Sequence, residues 1–312
     1  MPESLLQAYT PLFFWTGLGF LIVKFLPESF PKLLGRGLYW VGVPCEIFAL
    51  ARQSGELTST KIAPVLTAGA ILLGLALGAI SLALSRRWLE LPRLENPSLQ
   101  GSWLLCSMLG NTGFIGLSVV PFLVDAASVP WAVFYSVTQN VIGTYGIGVL
   151  VSSYYGRQMG TSRPWWELLK DLLTVPSLWG FFVGFTTRSI PFPPLVETSL
   201  HGSVMVVIAG AFVLMGIRLS QIGGWQSLRL AAIPAVLKTV VMPGVVGLVT
   251  LLVEMPSQAR LALVIMAGVP SAFAALILSE EYNLDRDLAA SSIINSTVIF
   301  LVMIPVWVYF FA

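Results

Sequence analysis

The sequence predicts an all-α polytopic membrane protein. Hydrophobic residues make up 56% of the 312 residues and charged residues 10%, whereas soluble domains carry about 25% charged residues. The apolar residues form long continuous runs, which favours membrane helices over an outer-membrane barrel, whose strands alternate in polarity. The high mean hydropathy of +0.84 excludes a soluble enzyme or a disordered chain. A net charge of +2 without a basic block argues against nucleic-acid binding.

Ten apolar segments approach or exceed the length of about 20 residues that a helix needs to cross the hydrocarbon core. They are spans 1 to 10, at residues 9–26, 36–51, 62–84, 101–124, 131–154, 172–187, 196–217, 231–253, 259–278 and 288–311. Span 6 is short, and we expect Pro176 to interrupt it. Span 1 lacks the basic segment and cleavage site of a signal peptide, so we interpret it as a membrane helix.

Basic residues predict the orientation of these spans. Twelve lie in the loops after odd-numbered spans: Lys24, Lys32, Arg36, Arg86, Arg87, Arg93, Arg157, Arg163, Lys170, Arg218, Arg229 and Arg286. Four lie in the loops after even-numbered spans: Arg52, Lys61, Arg188 and Arg260. Because cytoplasmic loops carry the excess of Lys and Arg, the odd loops are expected in the cytoplasm and both termini on the non-cytoplasmic side.

The connection after span 5 divides the chain into two halves of five spans. We expect a first repeat over residues 1–154, a cytoplasmic connecting segment over 155–171 and a second repeat over 172–312. The connecting segment carries tryptophans and leucines around its charges, which favours a helix lying in the membrane interface. Pro11 and Pro176 precede a Gly-Phe pair at the same spacing. Because five is odd, the second repeat is expected to be inverted, as in many secondary transporters.

Spans 4 and 9 carry the residues that we expect to break a helix. Span 4 contains Gly110-Asn111-Thr112-Gly113 with Pro121 beyond, and span 9 contains Gly268-Val269-Pro270-Ser271-Ala272. Interrupted segments at corresponding places in two halves point to a substrate site. Freed half-helix amides and dipoles suit an anion, and Asn111 and Thr112 add side-chain donors. The alternative is a pair of ordinary kinked helices with small packing residues.

Other polar residues lie at membrane depth. Gln139, Asn140 and Asn295 are candidates for cavity lining or for hydrogen bonds between helices. Lys238 and Glu46 are intramembrane charges and therefore functional candidates, although a lysine that snorkels to the interface remains an alternative. Cys45 and Cys106 are interpreted as small buried residues, and His201 has no metal-ligand neighbour within helical reach. We expect no metal and no cofactor.

The motifs resemble the auxin efflux carrier family. They are Gly110-Asn111-Thr112-Gly113-Phe114-Ile115-Gly116-Leu117, Val43-Pro44-Cys45, Lys238 followed by Met242-Pro243, and Pro270 with Ser279-Glu280-Glu281-Tyr282-Asn283 and Ala289-Ala290-Ser291-Ser292. The family includes bacterial permease-like members and the plant PIN carriers. The resemblance implies ten helices in two inverted repeats, with broken helices 4 and 9 that cross at the bilayer midplane. It also implies a dimerising scaffold of spans 1, 2, 6 and 7, an elevator-like movement of the other six, and Asn111 as a substrate ligand.

Two departures from the family pattern affect these expectations. Ser118 stands where relatives usually have proline, and Pro121 follows three residues later, which leaves open a shift of the crossing by one turn. Ala274 lies where many bacterial relatives have a polar asparagine. An apolar residue there leaves room for a more hydrophobic acid than a dicarboxylate.

The sequence therefore predicts a secondary transporter of small organic anions in the cell membrane, a homodimer working by alternating access. The substrate-binding candidates are Asn111, Thr112, Gly113, Asn140, Pro270, Ser271 and Ala272, and the coupling or support candidates are Glu46, Gln139, Lys238 and Asn295. The coupling ion is a proton, sodium or none. The main alternative is a sodium-coupled carrier of the bile-acid type. A channel lacks charge rings or a filter motif, and an enzyme lacks a catalytic cluster.

Overall fold

The computed structural model describes residues 2–27, 29–53, 62–89, 91–156, 176–220 and 225–312, together with residues 166, 173 and 174. Within these ranges the protein is all-α and forms no β-strand. The helices are α1 (Pro2–Ile22), α2 (Phe30–Gly37), α3 (Val43–Gln53), α4 (Ala63–Leu89), α5 (Pro97–Met108), α6 (Leu117–Leu123), α7 (Val129–Thr138), α8 (Val149–Gly156), α9 (Pro176–Thr186), α10 (Pro194–Ser220), α11 (Trp225–Val236), α12 (Met242–Leu252), α13 (Ser257–Gly268), α14 (Phe273–Glu281) and α15 (Arg286–Phe311).

Each of the ten predicted apolar segments is mainly helical where the structure describes it, and spans 4 and 9 are interrupted at residues 109–111 and 269–272. Within span 6, helix α9 begins at Pro176 and a turn at Thr174 precedes it, which agrees with the expected interruption at this proline. Proline is tolerated in the first turn of a helix, where its missing N–H would have no partner anyway. Residues 167–172 and 175 lie outside the described residues, and so does most of the predicted interfacial helix over 155–171.

Four helical stretches among the described residues are long and apolar enough to cross a membrane by length and composition. They are Ala63–Leu89, Pro194–Arg218, Ser227–Leu252 and Arg286–Phe311. Shorter apolar helices cover Thr10–Phe25, Thr112–Leu123 and Ser257–Gly268. Helices satisfy their own backbone groups, which is what a chain must do in lipid. These properties describe a multi-pass membrane protein.

Several spans change from α-helical to π-helical geometry within the apolar segment. Wider π-helical stretches occur at Leu38–Gly42, Gln139–Gly148 and Leu237–Val241. Two of them end just before Pro44 and Pro243, whose rings cannot fit behind a regular α-helical turn. A π-helical stretch accommodates such a residue without a full break, and such stretches are frequent at functional sites.

The helices of spans 1, 2, 6 and 7 pack together. In this group α1 lies along α10, and α3 lies along both α9 and α10. Glycines set the close approaches: Gly216 of α10 faces the backbone of Thr16 on α1, and Gly180 of α9 faces the backbone of Pro44. A side chain at either glycine would overlap main-chain atoms of the neighbouring helix, so these positions fix how near the helices come.

The remaining helices surround two central ones. Helix α5 packs against α4, α8 and α15, while α13 packs against α12, α7 and α15. Every residue from Leu99 to Met108 is buried, and so is every residue of 259–268 except Arg260. A helix that is apolar all round belongs in the interior of a protein, and α5 and α13 take that place. Both helices end at the same point inside the protein.

Candidate functional site

Spans 4 and 9 are both interrupted, and their interruptions pair with each other. The amide of Asn111 donates to the carbonyl oxygen of Pro270 over 2.7 Å, and the amide of Ala272 donates to the carbonyl oxygen of Leu109 over 3.0 Å. Gly110 and Ser271 thereby form an isolated antiparallel bridge. The crossing brings together five of the predicted site residues: Asn111, Thr112, Pro270, Ser271 and Ala272.

The local sequence accounts for the position of both breaks. In span 4 the chain becomes extended at Leu109 after α5 ends, and Asn111 caps the π-helical turn Thr112–Gly116. In span 9 it becomes extended at Val269, because the residue before a proline is disfavoured in helical geometry. Ser118 and Pro121 lie inside α6, so the crossing is at Gly110–Asn111 and not one turn later.

Lys238 provides a basic side chain and a hydrogen-bond donor at the crossing. Its side chain is 1% exposed, and its ammonium donates a hydrogen bond to the carbonyl oxygen of Ala267 near the end of α13. A β-carbon at Gly110 would lie 2.8 Å from the same ammonium nitrogen, so a side chain there would require the lysine to shift. This geometry excludes the snorkelling alternative. A cation at the negative end of a helix dipole is a favourable arrangement.

Two further side chains donate hydrogen bonds to carbonyl oxygens at the crossing. The Gln139 amide donates to the carbonyl oxygen of Gly110 over 2.6 Å, and the Ser271 hydroxyl donates to that of Cys106 over 2.9 Å. A helix end leaves its last carbonyls without partners inside the helix. Together with Lys238, these side chains satisfy acceptors at the crossing. Among the described residues, one side-chain donor at the crossing is left without a partner.

Asn111 carries such a donor. Its side-chain oxygen accepts from the amide of Phe114 over 3.3 Å, whereas its Nδ2 is buried and has no hydrogen-bond partner among the described residues. The side chain is 5% exposed. Burying a polar group without a partner costs free energy, so the Nδ2 group favours a ligand that accepts a hydrogen bond.

The first turns of two helices point into the same region. The Thr112–Gly116 turn and α14 both begin at the crossing. Most amides of the first of these turns already donate to Gly110 or to Asn111, so what the two helix starts provide is chiefly the positive ends of their dipoles. The rings of Phe114 and Phe273 lie in these two first turns, edge to face, with centroids 6.4 Å apart. Donors and an apolar wall therefore meet at one place. That combination suits a carboxylate attached to an apolar body.

Serine and threonine side chains form hydrogen bonds with residues at the two breaks. The Ser136 hydroxyl donates to the Thr112 hydroxyl over 3.2 Å. On the other side, Ser296 accepts from the amide of Ser271 over 3.0 Å, and Ser292 lies 3.2 Å from the Ser271 hydroxyl. Sequence reasoning missed Ser136 and Ser296. The available signal was the spacing of Ser292 and Ser296, four residues apart in an apolar helix.

The hydrogen bonds and contacts of the other predicted site residues do not place them at the crossing. Asn140 donates to the carbonyl oxygen of Ser136 in its own span, and Asn295 donates to that of Leu228, joining α15 to α11. Gly113 packs beside Val43 of α3: a β-carbon at Gly113 would lie 3.8 Å from the Val43 side chain. Glu46 lies on α3, fully buried.

A small cavity adjoins the crossing on the side of α10, α14 and α15. Its volume is about 100 Å³. Phe273, the first residue of α14, lines it together with Leu276, and its polar lining includes Arg218, Glu280 and Arg286. Glu280 and Arg286 form an ion pair at 2.8 Å. Because Phe273 also lines the crossing, the cavity lies next to the interrupted helices.

The sequence profile of a membrane transport protein family matches residues 4–308, nearly the whole chain. The chain belongs to this family. The match confirms the resemblance to the auxin efflux carriers that the motifs of spans 4 and 9 carry. An uncharacterized transporter of Methanocaldococcus jannaschii is 25% identical over 295 residues, which cover 92% of this chain and 91% of that protein. An uncharacterized transporter of Methanothermobacter thermautotrophicus is 25% identical over 293 residues, with the same coverage.

Proposed function

We propose that this membrane transport protein is a secondary transporter of small organic anions, which it binds at the crossing of spans 4 and 9. The observation that carries the proposal is the Asn111 Nδ2 group, a buried donor without a partner between two helix N-termini. Carbonyl oxygens at the same place already accept from Lys238, Gln139 and Ser271. A side-chain donor without a partner among the described residues, next to the positive ends of two helix dipoles, favours an anion.

The substrate class that fits best is a monocarboxylate with an aromatic or apolar body. Phe114 and Phe273 form the wall beside the donors, and Ala274 adds no polar group. Lys238 is already bonded to Ala267, so among the described residues no further lysine is shown at the crossing to pair with a second carboxylate. A dicarboxylate is therefore expected to bind more weakly than an aromatic monocarboxylate such as indole-3-acetate.

The proposed transport cycle is alternating access. Spans 1, 2, 6 and 7 act as the scaffold through which two copies dimerise, and the remaining spans carry the crossing past it. The proposed architecture is ten membrane helices, with residues 1–154 and 172–312 as inverted repeats and both termini outside the cytoplasm. Support comes from the tight packing of α1, α3, α9 and α10 as one group, and from the contact of the Thr112–Gly116 turn with that group.

The sodium-coupled alternative is less well supported. A sodium site at a broken helix needs several oxygen ligands, and three carbonyl oxygens at this crossing already accept hydrogen bonds from Lys238, Gln139 and Ser271. Gln139 uses its nitrogen, and not its oxygen, toward the break. We therefore expect substrate binding at the crossing to be independent of sodium.

A ligand screen tests the proposal. The thermal midpoint of the purified protein is measured with indole-3-acetate, benzoate, succinate and malonate, in sodium and in potassium buffers, and each acid that stabilises it is tested for uptake into proteoliposomes. We expect the aromatic monocarboxylates to stabilise the protein most and to be taken up equally in both buffers. Uptake that needs sodium would favour the alternative, and no binding of any carboxylate would contradict the proposal.

A further inference from the structure

Glu46 is a buried carboxyl group without a partner. It lies in the first turn of α3 and is 0% exposed. Neither of its oxygens has a hydrogen-bond partner among the described residues. By contrast, Glu197 forms an ion pair with Arg52, and Glu280 forms one with Arg286. Glu46 therefore needs another explanation.

The position of Glu46 follows from the packing of α3. Helices α3 and α10 run antiparallel, because Gly42 just before α3 faces Val207 while Arg52 near its end pairs with Glu197. Glu46 is one turn beyond Gly42, so it lies on the side of α3 toward α10. It is also three residues from Val43, which packs over Gly113. Glu46 therefore lies in the part of α3 that packs against α10 and that contacts, through Val43, the first turn after the span 4 break.

Few ionisable groups lie on the elements around it. Helix α9 and the Thr112–Gly116 turn carry none. The others are Tyr39 before α3, Cys45 and Arg52 on α3, Tyr135 on α7, and Glu197, His201 and Arg218 on α10. Arg52 is engaged at the far end of α3 with Glu197, Thr187 and Ile190. The side chain of His201 lies outside the described residues. No cation among the described side chains is bonded to Glu46.

A carboxylate in these surroundings needs a proton or a metal ion. An ionised group buried without partners is very costly, and such groups neutralise instead. A metal cation requires several oxygen ligands around it, and the Glu46 oxygens have no polar side chain within hydrogen-bond distance in the described residues. A proton requires only the carboxyl group itself. The surroundings therefore favour the protonated acid.

We propose that Glu46 is a proton-binding site and that its proton is carried together with the organic anion. This inference rests on the proposed function. When the crossing moves along α3 and water reaches Glu46, its O–H bond breaks, the proton passes to water and the electron pair stays on the carboxylate. A negative Glu46, three residues from Val43, which contacts Gly113, repels an anion at the crossing, whereas the neutral acid does not. Anion binding and protonation thus favour each other, which is the linkage that a symporter needs.

The first test detects the proton directly and needs no substrate. Infrared difference spectra between acidic and alkaline buffer are recorded for wild type, Glu46→Gln and Glu95→Gln. We expect a carbonyl band of a protonated carboxylic acid that disappears in Glu46→Gln and remains in Glu95→Gln, since Glu95 is exposed and paired with Arg86. A band that persists in Glu46→Gln would overturn the assignment. Glu46→Asp, which keeps a carboxyl group, should restore it if the protein folds.

The second test measures coupling. The affinity for indole-3-acetate is measured over a pH range in which the acid itself stays ionised. In wild type we expect affinity to rise as pH falls, by up to about tenfold per pH unit, the limit for one linked proton. In Glu46→Gln we expect tight binding without this pH dependence. If both proteins show the same pH dependence, Glu46 is not the coupled group. If wild type binds no carboxylate while the infrared band still depends on Glu46, the proposed function fails and the proton site stands.

Discussion

The backbone amide of Asn111 is hydrogen-bonded to the carbonyl oxygen of Pro270, 2.7 Å away, across 159 positions of sequence. The return bond from Ala272 to Leu109 makes the link double. Two interrupted helices are thus held at a fixed separation by main-chain atoms, whatever side chains surround them. The side chain of Asn111 is consequently presented between two helix starts with its Nδ2 group unused.

Lys238 is expected to be essential for transport but not for folding. Lys238→Met keeps most of the side-chain volume but leaves the Ala267 carbonyl without its partner and removes the positive charge. We expect the crossing to bind an anion less tightly without the ammonium group, by an amount similar to a lost hydrogen bond to a charged group, about 1.5–3 kcal/mol. We therefore expect uptake of indole-3-acetate to fall roughly ten- to a hundred-fold. Lys32→Met, at an exposed lysine, is the control and should transport normally. Wild-type uptake by Lys238→Met would show that the lysine at the crossing has no functional role.

Gly216 is expected to determine how closely α1 and α10 pack. In Gly216→Ala the new β-carbon would overlap the carbonyl oxygen of Thr16, and backbone cannot move aside as a side-chain end can. Overpacking of this kind costs about 1–3 kcal/mol, so the thermal midpoint should fall. Gly69→Ala in α4 is the matched control, because nothing lies within 4 Å of its new β-carbon. That variant should be unchanged or more stable, since alanine suits a helix better than glycine. Equal midpoints for the two variants would count against this packing.

Arg52 is expected to join α3 to the connection between α9 and α10. Its guanidinium donates to the carbonyl oxygens of Thr187 and Ile190 and to Glu197, and it lies 3.6 Å over the Phe192 ring. Lysine cannot reproduce this planar fork, so Arg52→Lys should lower stability by about 1–3 kcal/mol.

The comparison for Arg52 is Arg86→Lys. The Arg86–Glu95 pair has side chains 40% and 64% exposed, and exposed pairs contribute about 0–1 kcal/mol. Thermal unfolding should therefore separate the two conservative changes clearly. A midpoint for Arg52→Lys no lower than that of Arg86→Lys would mean that the bonds around Arg52 do not stabilise the protein.

Both termini are expected on the non-cytoplasmic side. Twelve basic residues in the odd loops against four in the even loops set this orientation. A fluorescent protein that matures only in the cytoplasm, fused after Ala312, should stay dark, and alkaline phosphatase at the same place should be active. The same reporters placed at Asp171 should give the opposite pattern. Bright fluorescence from the C-terminal fusion would reverse the proposed topology.

Hydropathy and helix breakers predict the course of the chain well. Apolar length placed the helices within a few residues, because lipid requires every backbone group to bond within its own segment. Glycine and proline placed the breaks at Gly110–Asn111 and Val269–Ala272, since these residues weaken a helix wherever they lie. Both effects are local. Pro176 shows the same effect, because α9 begins at this proline after a turn at Thr174.

The partners at the crossing could not be predicted, because they depend on packing between distant spans. Hydropathy placed Lys238 deep in span 8 but gave no reason why its ammonium should reach Ala267. Likewise, Gln139 was a candidate for either a cavity or a helix contact, and only the structure directs it to Gly110. The burial of Glu46 depends on where α10 lies against α3. Sequence patterns report the depth of a residue more readily than its neighbours.

The central claim is that an organic anion binds at the crossing beside Asn111, and the dissociation constant of indole-3-acetate for Asn111→Ala tests it most directly. Alanine removes the Nδ2 donor, so calorimetry should show binding weaker by roughly ten- to a hundred-fold, from a loss of about 1.5–3 kcal/mol. Thr250→Ala removes a buried hydroxyl that bonds only within α12, and its affinity should equal that of wild type. Wild-type affinity in Asn111→Ala, or the same loss in both variants, would contradict a substrate site at the crossing.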